Sequence, residues 1–149
     1  MKYLKTFEQK IITKLDLSDS NLTELPELPD TLKELYCHDN QLTELPDLPD
    51  TLKLLVCSNN KLTELPDLPD ILERLDCDSN KLKKLPDLPD TLEILYCYNN
   101  QLTELPDLPD TLLWLDCSGN QLPYDDLKGY RKWFEKTYPE KVAAKKYNL

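Results

Sequence analysis

TLKLLVCSNNKLTELPDLPD, residues 51–70, is the stretch whose reading decides the fold. Residues 31–50 read TLKELYCHDNQLTELPDLPD, and residues 71–90 read ILERLDCDSNKLKKLPDLPD, with no gap between the blocks. Residues 91–110 repeat the frame again. Residues 11–30 carry it with Leu17 in the cysteine slot and Ser20 in the asparagine slot, and a further copy starts at 111 and departs after 122. Within 51–70, Leu55 and Cys57 alternate with Leu54, Val56 and Ser58, which is the period of a β-strand. Asn60 then turns the chain, its carboxamide able to satisfy backbone groups of neighbouring blocks. Leu62, Leu65 and Leu68 return to the side of Leu55. Pro66 and Pro69 fix φ near −65° and remove two donors, so the return leg is extended or polyproline-II rather than helical.

Written out, the frame is L-x-x-L-x-C-x-x-N-x-L-x-x-L-P-x-L-P-D, the leucine-rich-repeat signature at about its shortest length. Each block buries its leucines only by stacking on the next. The expected fold is therefore a leucine-rich-repeat solenoid of about six coils. A parallel β-sheet lines its concave face and extended chain its convex face, and Asn40, Asn60, Asn80, Asn100 and Asn120 form a ladder. Two glycines in 149 residues imply that few positions take a positive φ. Open ends must be covered. Residues 1–10 are expected to cap the first coil through Tyr3, Leu4 and Phe7, with repeats over 11–122. Residues 123–149 are expected to form a C-terminal helical cap. In it Asp125 is the candidate N-cap, and Leu127, Tyr130 and Phe134 recur at helical spacing, flanked by Trp133 and Tyr138. Pro139 ends that helix and KVAAKKY starts a second.

LTELPDLPDTL and the 20-residue period resemble the LPx-type repeats of bacterial effectors of the YopM and IpaH kind, over residues 11–122; similar repeats occur in giant-virus proteins. The resemblance implies recognition of host proteins. The IpaH group adds a helical ubiquitin-ligase domain, which the 27 residues after Leu122 are too few to hold.

Five cysteines, Cys37, Cys57, Cys77, Cys97 and Cys117, share one slot. Cys37 and His38 are adjacent on a strand and point to opposite faces, so they cannot share an ion or form a dyad. Structural zinc sites usually show C-x₂₋₄-C pairs, and none is present. Disulfides between stacked strands are within reach at ~4.8 Å, but the side chains run parallel and an odd count leaves one over. Leu17 in the same slot favours packing, which predicts inert thiols.

The other strand face changes from coil to coil. One column runs Lys14, Glu34, Leu54, Arg74, Ile94, Trp114. The next runs Asp16, Tyr36, Val56, Asp76, Tyr96, Asp116, and a third Ser18, His38, Ser58, Asp78, Tyr98, Ser118. Apolar and aromatic side chains of solvent-facing parity, with charges around them, suit a protein-binding surface. The candidate partner-binding residues are Tyr36, His38, Leu54, Val56, Arg74, Asp76, Ile94, Tyr96, Tyr98, Trp114 and Asp116. Drift on a duplicated surface is the alternative source of this variation.

Residues 1–120 hold 24 acidic and 11 basic residues, net −13, against a whole-chain charge of −10. Such a body repels phosphate, so nucleic acid is not an expected partner. Acidic ladders on the return leg (Asp47, Asp67, Asp87, Asp107) lack the converging oxygens of a calcium site. No apolar run suggests a membrane span or signal peptide. The odd cysteine count points to a reducing cytoplasm, and the resemblance extends this to that of a host cell. No phosphate loop, HExxH or GxSxG occurs. The expectation is a non-enzymatic interaction module without cofactor or metal, binding a protein through its concave sheet and open to self-association. Two alternatives stand beside it: a structural repeat unit without a dedicated ligand, and an adaptor recruiting substrates to an enzyme on another chain.

Overall fold

The computed structural model describes residues 11–147, so the expected cap at Tyr3, Leu4 and Phe7 lies outside the described residues. Six three-residue strands form one parallel sheet in sequence order: β1 Lys14–Asp16, β2 Glu34–Tyr36, β3 Leu54–Val56, β4 Arg74–Asp76, β5 Ile94–Tyr96 and β6 Trp114–Asp116. Every pairing is in register at a shift of 20 residues, for example Leu55 against Leu75 and Val56 against Asp76. The chain is thus a solenoid of leucine-rich coils, closed by helices α1, Leu127–Thr137, and α2, Pro139–Tyr147.

The leucine frame forms one continuous core. In the fourth coil Leu72, Leu75, Cys77 and Leu82 are fully buried, and the same slots are filled alike in the coils on either side. Each fully buried leucine contributes about 1.5–3 kcal/mol relative to exposure. All five cysteines are free and buried in this core, as the Leu17 substitution implied. Burial pushes the Cys37 and Cys117 thiols up to about 12, and raises those of Cys57, Cys77 and Cys97 as well.

The asparagine ladder closes the inner turn. Asn60 Oδ1 accepts from Leu42 N at 3.0 Å, while its Nδ2 lies within 3.0–3.1 Å of the Cys37, Cys57 and Ser58 carbonyls. Asn80 and Asn100 repeat the pattern one coil on. Each carboxamide therefore ties its own coil to the preceding one through buried hydrogen bonds.

Positive φ is far commoner than the glycine count implied. Asp19, Asp39, Asn59, Ser79, Asn99 and Gly119 precede the ladder position at φ of 51–67°, and Asn21 is at 55°. Short polar side chains replace glycine because Asp and Asn tolerate the left-handed region. They also bond along the stack, as Asn59 Nδ2 does to Asp39 Oδ1. Gly119 is the glycine of the series, and a Cβ there would collide with Asn99 Oδ1.

The return leg carries neither helix nor strand. It ends in a turn closed by Leu52 N to Pro49 O at 3.0 Å, repeated at Leu72, Leu92 and Leu112. The hydroxyl of Thr51 then lies 2.7 Å from Asp30 O and 2.8 Å from Leu32 O of the coil before. Thr91 and Thr111 do the same, whereas Ile71 in the fourth coil has no hydroxyl and stands exposed.

The helical end departs from expectation by one residue. Asp126, not Asp125, is the N-cap and accepts from Gly129 N at 2.7 Å. Asp125 is still engaged with the sheet, its carbonyl accepting from Cys117 N at 2.8 Å beside an antiparallel bridge of Asp116 with Asp126. Tyr124, which the helical period did not single out, is the buried aromatic that joins helix to core. It packs at 5.2 Å on both Tyr130 and Trp133. Gly129 admits it, since a Cβ there would lie 3.1 Å from Tyr124 Cβ. Pro139 is the first residue of α2, where a missing N–H costs nothing.

Candidate protein-interaction surface

The concave face is built from positions of one parity on the short strands and the residue two places beyond. Leu35, Leu55, Leu75, Leu95 and Leu115 point into the core, so their neighbours point out. Leu54, Arg74 and Ile94 are half-buried against each other, and Trp114 ends their column at 56 % exposed. In the next column Tyr36, Asp76, Tyr96 and Asp116 are half-buried, while Val56 is buried at 8 %. Val56 is thus mostly covered by its neighbours and offers little area of its own. His38 and Tyr98, half-buried, belong to the third column. All eleven candidate residues therefore lie on one face, with Tyr36, Leu54 and Val56 in coils 2 and 3 and Ile94, Tyr96, Tyr98 and Trp114 in coils 5 and 6.

Cations on this face are tied to neighbours. Lys14 lies 3.5 Å from Glu34 and 4.6 Å from the Tyr36 ring centroid. The Arg74 guanidinium stands 5.4 Å from the Tyr96 ring centroid and 3.8 Å from Asp76. His38 Nδ1 is 2.7 Å from Asp39 Oδ2. With Asp19 these two bring one ligand atom each to within 4.8 Å of one another, a grouping that strand parity alone did not disclose because Asp19 and Asp39 sit on the turn. The hydrogen bond from the imidazole accounts for the closeness of His38 and Asp39.

Coil 4 differs from its relatives. Asp16 and Asp116 are each held by the serine two residues on: Ser18 donates from N and Oγ at 3.1 and 2.6 Å, Ser118 at 3.1 and 2.7 Å. Those Ser18 hydrogen bonds hold Asp16 below its ordinary carboxylate range. In coil 4 the serine slot holds Asp78, only 7 % exposed. Burial, then the Asp78 carboxyl, push Asp76 up to about 7, and Asp76 Oδ1 and Arg74 Nε are buried without a hydrogen-bond partner.

At the cap, a groove of about 600 Å³ lies between β6 and α1, lined among others by Leu113, Trp114, Asp126 and Arg131. Leu113, 73 % exposed, was not among the sequence candidates; its column elsewhere holds Thr13, Lys33, Lys53, Glu73 and Glu93.

No protein-family model and no curated protein matches the chain. Solved structures do. The chain is a leucine-rich-repeat protein of the short 20-residue LPx type, similar to bacterial effector repeat domains. It is 43 % identical to a Shigella effector leucine-rich-repeat domain, TM-score 0.74, over 75 % of this chain and 51 % of that one. With YopM, a leucine-rich effector protein from Yersinia pestis, it shares 45 % identity, TM-score 0.72, over 74 % of this chain and 32 % of that one. With YopM from Yersinia enterocolitica WA-314 the values are 42 %, 0.67, 68 % and 25 %. The chain thus spans between a quarter and about half of the structures it matches. Among the described residues no helix is long and apolar enough to cross a membrane.

Proposed function

We propose that the chain is a non-enzymatic protein-interaction module that holds its partner on the concave sheet. The observation that carries the reading is the split between the two strand faces. The inward face repeats Leu and Cys from coil to coil, while the outward face changes at every coil and gathers Ile94, Tyr96, Tyr98 and Trp114 into one apolar stripe. Aromatic anchors ringed by charge are what protein interfaces use for affinity. Similarity to proteins called effectors supports a protein partner, met in the reducing cytoplasm of a host cell, where five free thiols persist.

Affinity capture with wild type and a Tyr96→Ala, Trp114→Ala double variant tests it. Both side chains are outside the core, so the variant should keep its circular dichroism and melting temperature and lose the partner. An unchanged set of captured proteins would refute the concave reading.

A further inference from the structure

Coil 4 breaks the frame on a second surface, the exposed flank that follows the asparagine ladder. Coils 2 and 5 read Gln, Thr and Glu there, as Gln41, Thr43 and Glu44 do in coil 2. Coil 3 changes only the first of these, to Lys61, whereas coil 4 reads Lys81, Lys83 and Lys84. All four lysines are exposed, while Leu82 and Leu85 between and beside them go to the core. Backbone hydrogen bonds fix the columns: Lys61 N donates to Leu42 O and Lys81 N to Leu62 O, both at 2.9 Å. Members of one column therefore stand about 5 Å apart. In these three columns coils 3 and 4 gather four positive charges, with Glu64 the one negative charge among them.

These cations differ from the other bases of the coils in what they touch. Beside the strands, Lys14, Lys53 and Arg74 stand 3.5, 2.6 and 3.8 Å from Glu34, Glu73 and Asp76. Among the described residues no carboxylate comes that close to Lys61, Lys81, Lys83 or Lys84. Lys61 Nζ reaches a neutral partner, Gln41 Oε1, at 3.1 Å. Lys84 interrupts a glutamate column between Glu64 and Glu104 without pairing to either. Lys81 and Lys83 stand where the other coils have neutral residues, apart from Lys61 itself. Relief of repulsion along the glutamate column therefore does not account for the three substitutions.

We propose that this lysine flank docks an acidic segment of the protein bound on the concave sheet. The proposal rests on the concave-face reading and adds the partner's chemistry at one edge of it. The two surfaces are continuous. Asp78 belongs to the concave face of coil 4, and Ser79, at φ of 53°, turns the chain into Asn80 and Lys81. Unpaired ammonium groups complement aspartate and glutamate side chains. At physiological salt an exposed charge is felt over about 8 Å, so the local cluster governs what docks there. The chain's overall charge of −10 is screened at that range. Carboxylates fit this flank better than phosphates do. In coils 2 to 5 its columns hold no arginine fork and no glycine-rich nest, and among the described residues no helix begins there. Those are the devices that select phosphate. No aromatic ring stands in these columns for a nucleic-acid base to stack on.

The test titrates hexa-glutamate, with hexa-glutamine as the neutral control, into three proteins. The Lys83→Thr, Lys84→Glu variant gives coil 4 the residues of coils 2, 3 and 5, so it keeps the fold. A Lys128→Thr, Lys132→Glu variant makes the same change of net charge at exposed positions of α1. Wild type should bind hexa-glutamate at about 20 mM salt and lose at least about tenfold in affinity at about 150 mM, as screening weakens exposed charges. At the lower salt the coil 4 variant should bind at least about tenfold more weakly than wild type, and the α1 variant within about twofold of it. Equal affinity of wild type and the coil 4 variant would overturn the proposal. So would an equal loss in the α1 variant, because net charge alone would then explain binding. Tighter binding of a thymidine hexanucleotide, lost in the coil 4 variant, would assign the lysines to phosphate instead. In affinity capture the coil 4 variant should retain less of the partner than wild type; full retention would detach the flank from the concave partner. The titration needs no partner, so a failed Tyr96, Trp114 capture leaves it standing and the two readings fail separately.

Discussion

The two faces of each three-residue strand obey opposite rules. Inward, Leu75 meets Leu55 and Leu95 and is fully buried. Outward, Asp76 meets Val56 on one side and Tyr96 on the other. Stacking at a fixed interval explains the first. Each inward side chain is surrounded by copies of itself, so any change of volume is felt in three coils. The outward face has no such constraint and is free to become specific. A duplicated chain can therefore hold its shape and vary its surface without the two competing.

The comparison breaks if inward and outward substitutions cost the same. Leu75→Ala should destabilise by about 2–5 kcal/mol, as a buried leucine that leaves a cavity. Ile94→Ala, half-buried on the other face, should cost well under half of that; urea denaturation of both variants measures the ratio. Asn80→Ala comes next. It orphans the Leu62 N–H and the carbonyls that its carboxamide reaches, at about 1–3 kcal/mol for a buried group left unpaired. The same denaturation curves report it, and an Asn80→Ala cost near zero would remove the ladder from the account.

Smaller effects sharpen the picture of the turns. Ser79 takes φ of 53° where its neighbours have Asn59 and Asn99. Ser79→Asn should therefore stabilise by about 0.5–1 kcal/mol, read as a rise in the urea midpoint, since asparagine tolerates that region better. Thiol kinetics concern the core without changing its stability. With burial raising all five pKa values, a maleimide at pH 7.5 should label native protein slowly and all five sites at once in denaturant. Rapid native labelling of Cys57 or Cys77, both fully buried, would mean the coils open locally.

Much of this fold was legible because periodicity is a strong signal. Leucine at a fixed interval, with proline pairs closing each block, leaves one architecture, and Leu17 in the cysteine slot identified the cysteines as packing. The turns were less legible. Glycine count is a poor guide to positive φ when Asp39, Asn59 and Asn99 adopt it, and Asn59 bonds to Asp39 along the stack. Tyr124 was missed because it precedes the helix and so belongs to no helical period, although it anchors the aromatic cluster. On the candidate surface, parity placed every residue on the outward face, but it does not report depth. Val56 and Asp78 face outward and are nonetheless buried, because Tyr36, Tyr96 and Tyr98 are large enough to cover a face only three residues deep. Trp114 stays exposed because, among the described residues, no seventh strand follows β6.

Hydrogen–deuterium exchange of the chain alone and with a captured partner tests the central claim most directly. The account predicts added protection over residues 54–58, 74–78, 94–98 and 114–118, with the LPDLPD legs unchanged. Protection gathered on those legs, at Asp47, Asp67, Asp87 and Asp107, with the strands unaffected, would contradict it.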